Sequence, residues 1–301
     1  VRLDQIVSRK FSLSRRKSRE YVESGRVEIG GVVCMEPGAA VEESSEVRLD
    51  LNRPAAHKVR TRLTVFHEDD DLLMVEKPAG LLTLPTEGAE KDTLLSRVNS
   101  YLQHRFKKRP YAGVVHRLDK ETSGVLVFAR NRETLRGLQE LFKAHQIERV
   151  YLALVEGNVV RESGTAGFDL VRDRGDRRRG VARRGESGLH AVTHFEVKER
   201  LRGATLLALK LETGRTHQIR VHMAALGHPV VGDRVYRPRT REAPSIAAPR
   251  QMLHAARLAL AHPGSGKWLA AESPLPEDFR QVLERLRQRP EVRKNFRGGR
   301  S

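Results

Sequence analysis

Residues 116–130, HRLDKETSGVLVFAR, set one carboxylate, Asp119, between Arg117 and Lys120 and just ahead of a Thr-Ser-Gly turn. An apolar run, VLVFA, follows at once. Its length and its β-branched residues read as a buried strand with Gly124 at its mouth. Two readings of Asp119 are open on these residues. One is an Asx-turn with an Arg117 salt bridge. The other is a catalytic carboxylate facing an anionic substrate.

Outward from this stretch, helical and strand patterns mix without regular alternation, which predicts an α+β domain. Strands are expected on both sides of the acidic turn Asp69-Asp70-Asp71 and at VYLALVEG, AVTHFEV and ATLLALKLE. Helices are expected after three caps: Asp92, ahead of Leu94, Leu95, Val98 and Leu102; Asn131, ahead of Leu135, Leu138 and Phe142; and Thr216, ahead of Ile219, Met223 and Leu226. A last helix has Pro276 in its first turn and Phe279, Val282, Leu283 and Leu286 at i, i+3, i+4, i+7. Residues 1–52 read as a separate small unit, with Ser14 as N-cap, Gly25 as helix stop and a Gly30-Gly31 turn between short strands. Residues 53–62 read as a linker, 63–289 as the main domain and 290–301 as a basic tail.

Lys and Arg total 56 against 38 Asp and Glu in 301 residues, a formal charge of +18. Such a field concentrates polyanions, so nucleic acid is the first partner to consider and an anionic membrane the second. Arg15, Arg16, Lys17 and Arg19 crowd the first turns of a helix, where cations oppose the helix dipole. They read either as a solvated face or as a phosphate-contacting one. The Arg-rich stretch 172–186 has seven Arg and three acids and cannot bury a core. It reads as a mobile loop or hairpin tip, either touching RNA or merely solvated. No apolar run approaches the roughly 18–20 residues that span a bilayer, and no basic amphipathic helix with bulky apolar residues offers a membrane face. The single Cys34 suits a reducing cytoplasm.

Metal chemistry lacks support, because His217 and His222 are five apart and no Cys cluster helps. There is no phosphate loop, no dinucleotide fingerprint and no nucleophile elbow. Arg215, His217 and Arg220 in ETGRTHQIRVHMAALGHP read either as a second basic site or as an ordinary solvated helix face.

Three segments, HRLDKETSGVLVFAR, ERVYLALVEG and LETGRTHQIRVHMAALGHPVVGD, resemble in order the three motifs of the RluA type of pseudouridine synthase. EKPAG at 76–80 and LHAARLALAHP at 253–263 resemble further family segments. Residues 1–52 are similar to the alpha-L RNA-binding domain, through RLD, Ser14-Arg15 and SGRVEIGG. The resemblance implies a mixed, mainly antiparallel central sheet flanked by helices, and no cofactor or metal. It implies that Asp119 starts the isomerisation of uridine to pseudouridine, that Tyr151 packs on the uracil, and that Arg220 pairs with Asp119. Arg117 would fill the place of the flipped base in the RNA stack. Arg215, His217, Arg15, Arg16, Lys17 and Arg26 are the further RNA-binding candidates. Arg149, His190 and Arg237 stand where the family pattern has other residues. The expected substrate is large-subunit ribosomal RNA, with transfer RNA as the alternative, acted on by a cytoplasmic monomer. A different class of function, an RNA-binding or ribosome-assembly protein on a silent synthase fold, would leave Asp119, Tyr151 and Arg220 without a purpose.

Overall fold

The computed structural model describes residues 1–34, 37–53, 63–106, 111–172, 178–237 and 246–288. The linker read at 53–62, apart from Arg53, and the tail read at 290–301 lie outside these residues, as does part of the Arg-rich stretch. The chain divides into two compact units, one from residues of 1–63 and 84–110, the other from residues of 64–83 and 111–301.

In the first unit, helices α1 (Leu3–Lys10) and α2 (Arg15–Glu23) pack on the small antiparallel sheet β1 (Val27–Ile29), β2 (Val32–Val33) and β3 (Val47–Leu49). Leu3, Ile6, Val7, Val22, Val27 and Val47 form its core. Ser14 caps α2 by accepting the Lys17 N–H at 3.2 Å, and Gly25 ends it with φ +67°. Helix α3 (Leu94–Phe106) is capped one residue later than its sequence suggests. Thr93 Oγ1 accepts from Ser96 N, and the Ser96 hydroxyl accepts from Thr93 N, a reciprocal arrangement that leaves Asp92 to pair with Arg97 at 2.7 Å.

The second unit is built on an eleven-stranded sheet. Its elements are β4 (Val65–Glu68), β5 (Leu72–Lys77), β6 (Gly113–Val114), β7 (Ser123–Ala129), α4 (Arg132–Lys143), β8 (Glu148–Glu156), β9 (Ser163–Val171), β10 (Gly180–Val181), β11 (Leu189–Leu201), β12 (Ala204–Leu211), α5 (Gln218–Ala225), β13 (Leu253–Ala261), β14 (Trp268–Glu272) and α6 (Glu277–Arg287). The strand order is β10-β9-β11-β12-β8-β13-β7-β5-β4, with β14 beside β13 and β6 beside β7. β13 and β7 run parallel, and the other pairs among the described residues are antiparallel. The α+β class and the mixed, mainly antiparallel sheet are therefore as expected.

Leu135, Leu138 and Phe142 of α4 pack on β5, β7 and β13 through Leu72, Met74, Val125, Val127 and Leu258. Phe279, Val282 and Leu283 of α6 cover Leu154 and Leu206. Pro276 stands at the N-cap position of α6 instead of inside its first turn. Burying these aliphatic and aromatic side chains stabilises each layer by about 1.5–3 kcal/mol per residue before chain entropy is charged. Asn131 caps α4 by accepting the Thr134 N–H at 2.7 Å.

The strand read at 125–129 is β7, buried along its whole length. In the parallel β7–β13 ladder, His254 pairs with Ser123 and Ala255 with Gly124. Ala255 also pairs with Tyr151 of β8, so one residue of β13 joins the strand that follows Asp119 to the strand of Tyr151.

Candidate active site

Asp119 sits on the short segment between β6 and β7, and the carbonyls of that segment are tied down one after another. Leu118 O accepts from Thr83 Oγ1 at 3.0 Å and Asp119 O from Thr122 N at 3.1 Å. Lys120 O accepts from Lys77 Nζ and from Gly80 N, both at 2.9 Å, and Glu121 O accepts from Arg250 at 3.0 Å. Beneath the turn, Gln251 donates to Thr122 Oγ1 at 2.7 Å, while Ser123 Oγ bonds His254 Nδ1 at 2.9 Å. Arg250 is itself held by Asp278 of α6 at 2.6 Å. With four successive carbonyls, 118 to 121, satisfied, the loop has little freedom, and the Asp119 side chain projects from a fixed base.

Lys77 is the largest fully buried side chain among the described residues. Burial pushes its ammonium down to about 7, against the pull of Asp119 and Glu121. Its Nζ faces the carbonyls of Pro78, Leu81 and Lys120 at 2.7–2.9 Å, three acceptors for the three N–H groups of the protonated form. His116, at the start of the opening stretch, is held neutral: burial, then Arg149, lower it to about 3. Its Nε2 accepts the Val127 N–H at 3.2 Å, which pins it to β7.

The opposite wall of the site is the start of α5. Gln218 is buried and spends its amide on the preceding loop and on β11, accepting from Thr213 Oγ1 and Arg215 N and donating to Val192 O and Thr193 Oγ1 at 2.8–3.0 Å. His217, not Thr216, holds the N-cap position, with a left-handed backbone at φ +58°. Arg220, one turn in, bridges two carboxylates. Its Nη1 donates to Asp119 Oδ2 at 3.0 Å, and its Nε and Nη2 donate to the two oxygens of Asp233 at 2.6 and 3.0 Å. Asp233 is fully buried, Arg220 nearly so, and the Asp119 side chain is about one quarter open, 23%. The Tyr236 ring lies 4.9 Å from the guanidinium carbon.

Burial works against both charges of the Arg220–Asp233 pair and is outweighed by their hydrogen bonds. Arg220 is held above its ordinary value and Asp233 below the usual carboxylate range. Val235 N and Tyr236 N also donate to Asp233 Oδ1, at 2.8 and 3.1 Å. The backbone that brings this about turns at Gly232, φ +77°, where a Cβ would stand 1.9 Å from Arg250 O.

Tyr151 is buried on β8, and its hydroxyl has no hydrogen-bond partner among the described residues. Burial raises it further above its ordinary value, with Arg149 opposing and Asp119 adding to the rise, so it stays a phenol at neutral pH. Arg149 donates to the carbonyls of Leu211 and Glu212 at 3.1 and 3.0 Å and so supports the loop ahead of α5. Arg117 is exposed and donates to Thr216 Oγ1 at 3.1 Å, away from Asp119. Arg215 is exposed near His190 O, at 3.4 Å. His190 faces Asp169 at 2.9 Å, and Arg237 lies 3.8 Å from Glu156.

In the other unit, Arg15 and Arg16 are exposed and have no ion-pair partner among the described residues. Lys17 pairs with Glu20 at 3.2 Å, and Lys17 and Arg26 flank the Tyr21 ring at 5.0 and 5.7 Å. Among the described residues, no grouping of His, Cys, Asp and Glu could hold a metal ion, and no helix is long and apolar enough to cross a membrane.

Sequence reasoning gave no role to Asp233, Tyr236, Lys77 or Arg250. The available signals were a buried-strand pattern ending on a lysine, LLMVEK, and a Gly-Asp pair following HPVV.

The family model for RNA pseudouridylate synthase matches residues 71–225, and the S4 domain model matches residues 1–47. The chain belongs to the RNA pseudouridine synthase family. It is similar to the ribosomal large subunit pseudouridine synthase D of Pseudomonas aeruginosa, 38% identical over 95% of this chain and 92% of that one. The protein of the same name from Xanthomonas campestris is 37% identical over 95% of this chain and 89% of that one. Among solved structures, human RNA pseudouridylate synthase domain containing 4 is 25% identical, with a TM-score of 0.63 over 74% of this chain and 93% of that one. The synthase is thus an isomerase of the RluA type that converts uridine in RNA to pseudouridine, and it carries an N-terminal S4 domain.

Proposed function

We propose that the synthase modifies uridines of large-subunit ribosomal RNA in the cytoplasm as a monomer, with Asp119 starting the reaction. The observation that carries the assignment of Asp119 is its single-oxygen pairing with Arg220 at 3.0 Å, which leaves Oδ1 without a hydrogen bond among the described residues, 3.7 Å from His217 Nε2. The isomerisation breaks the bond from N1 to the ribose, turns the uracil and joins C5 to the same ribose carbon. N1 gains a proton, C5 loses one, and no redox partner is needed. Arg220 supplies the permanent positive charge opposite Asp119, a task for which a guanidinium suits better than an amine that could give up its proton. Tyr151, buried and protonated, offers a face to the uracil and a hydroxyl for proton transfer. Extruding a stacked base costs a few kcal/mol, about 2–4, and the exposed planar Arg117 offsets part of that by entering the vacated stack.

The substrate class is argued from the names of two near full-length relatives and from the S4 domain with its exposed cations. Residues 1–52 then act as the RNA-binding unit through Arg15, Arg16, Lys17 and Arg26, while Arg215 lies beside the site. Replacing Arg15 and Arg16 together by Ala should weaken binding to ribosomal RNA and reduce the slope of log affinity against log salt by about 2. An unchanged slope in filter-binding titrations would remove these two residues from the RNA interface.

The deciding experiment is tritium release from RNA labelled at uridine C5, since substrate and product are isomers of equal mass. The intact protein should release tritium from large-subunit ribosomal RNA, and Asp119→Ala should release none above background. Release from transfer RNA alone would overturn the substrate class. Undiminished release by Asp119→Ala would overturn the role given to that carboxylate.

A further inference from the structure

We propose that His217 is a positioning residue for Asp119, giving it a neutral imidazole N–H whose tautomer is set by the hydroxyl of Tyr236. The inference rests on Asp119 as the carboxylate that starts the reaction, and it assigns His217 to that carboxylate instead of to RNA.

The backbone is the first observation. His217 has φ +58° and ψ 17° at the head of α5, a region that residues bearing a Cβ occupy at a cost and that clusters at functional sites. Here it turns the imidazole inward. Nδ1 lies 2.7 Å from Tyr236 Oη, the two rings meet edge-on at 74°, and Nε2 lies 3.7 Å from Asp119 Oδ1. Arg220 occupies the other oxygen, Oδ2.

The charges that face this ring come from every element around it: Asp119 from the segment before β7, Arg220 from α5, Asp233 and Tyr236 from the turn after Gly232, and Arg179 from the approach to β10. Burial, with Arg220 and Arg179, outweighs Asp119 and Asp233, and the ring is neutral at neutral pH. A neutral imidazole has one N–H to place. Burial also keeps Tyr236 a phenol. The Tyr236 oxygen already accepts from Arg179 N at 3.2 Å, so we assign its own hydrogen to His217 Nδ1, the partner 2.7 Å away. The ring hydrogen therefore sits on Nε2, facing Asp119. The other tautomer would turn a lone pair on the carboxylate and leave the phenol hydrogen without that acceptor.

At 3.7 Å the donor stands just short of a hydrogen bond, a spacing that closes by a small side-chain rotation when a substrate fills the site. A neutral donor fixes the carboxylate's orientation without adding a second permanent charge to the one from Arg220.

The test is single-turnover tritium release by His217→Gly, a residue at ease with the positive φ, with imidazole or 1-methylimidazole added. The maximal rate should fall at least about tenfold while RNA affinity changes by less than about twofold. Imidazole should restore part of the rate, because it can both accept from Tyr236 and donate to Asp119. 1-Methylimidazole has no N–H and should restore none. Tyr236→Phe should lower the rate in the same direction and gain nothing from imidazole. Equal rescue by the two compounds would mean a proton acceptor and overturn the proposal, as would an unchanged rate or a loss confined to RNA affinity. Release that survives Asp119→Ala would overturn the reading on which the proposal rests. Asp119-dependent release indifferent to His217→Gly would overturn the proposal alone.

Discussion

Arg220→Met should abolish isomerisation and cost about 3–5 kcal/mol of stability at neutral pH. The guanidinium joins a partly open carboxylate, Asp119, to a fully buried one, Asp233. Removing it leaves Asp233 as an uncompensated charge with only the N–H groups of Val235 and Tyr236 for company. In the unsubstituted protein the Asp233 pKa is depressed. Its contribution to stability is present above the unfolded carboxylate value and is lost as pH falls through the folded one. In the variant, burial is opposed only by those two N–H groups and raises that pKa. The penalty is then full at alkaline pH and is relieved as pH falls. The gap between the two proteins in urea unfolding should accordingly narrow between about pH 8 and about pH 5. A gap independent of pH would mean that the lost stability comes from packing against Tyr236 and not from charge. Arg220→Lys separates fold from chemistry. A lysine keeps one charge near Asp233 but cannot span both carboxylates, so it should recover much of the stability and little of the rate.

The parts of this site that were legible in the sequence share a cause: each is a departure from what a purely structural residue would be. Asp119 stood out as an acid set between two cations ahead of an apolar strand, and the α+β class followed from strand and helix periods that refuse to alternate. The caps at Ser14 and Asn131 were legible because an Asx or Ser side chain there serves its own helix. The same rule misplaced the starts of α3 and α5. At α3, Thr93 and Ser96 exchange hydrogen bonds and free Asp92 for Arg97. At α5, Gln218 takes over the loop's polar groups, which lets His217 adopt a strained conformation no cap statistic favours. Asp233, Lys77 and Arg250 were not legible because their partners are set by topology. Arg250 reaches Glu121 O across 129 residues and Lys77 reaches Lys120 O across 43, distances at which no local period carries information. What the sequence shows of a site is its chemistry, while its support is written in the sheet order.

Gly124 is a point of that support at which a single methyl group should undo it. Gly124→Ala should cost more than about 4 kcal/mol and leave no measurable activity. Gly124 has φ +122°, and a Cβ there would stand 2.2 Å from the carbonyl oxygen of Ala255 and 2.6 Å from its nitrogen, all of them backbone atoms. The pairs Ser123 with His254 and Gly124 with Ala255 are the whole of the parallel β7–β13 register. The obstruction therefore falls on the ladder that ties the Asp119 segment to the strand next to Tyr151. A change at Gly203 isolates the other part of the effect. It has φ +70° in the β11–β12 turn, with nothing near the position of a Cβ, so Gly203→Ala should cost only about 1 kcal/mol, the conformational term. Thermal unfolding of the two variants side by side reads the difference. Near-equal losses would mean that β13 moves aside to admit the methyl group. In that case the spacing of Asp119 from Tyr151 would be adjustable, and the variant should keep a reduced but measurable rate. A large loss at Gly124 alone would mean that the two strands are fixed to each other by backbone contact, so that the carboxylate and the tyrosine are set in register before any RNA arrives.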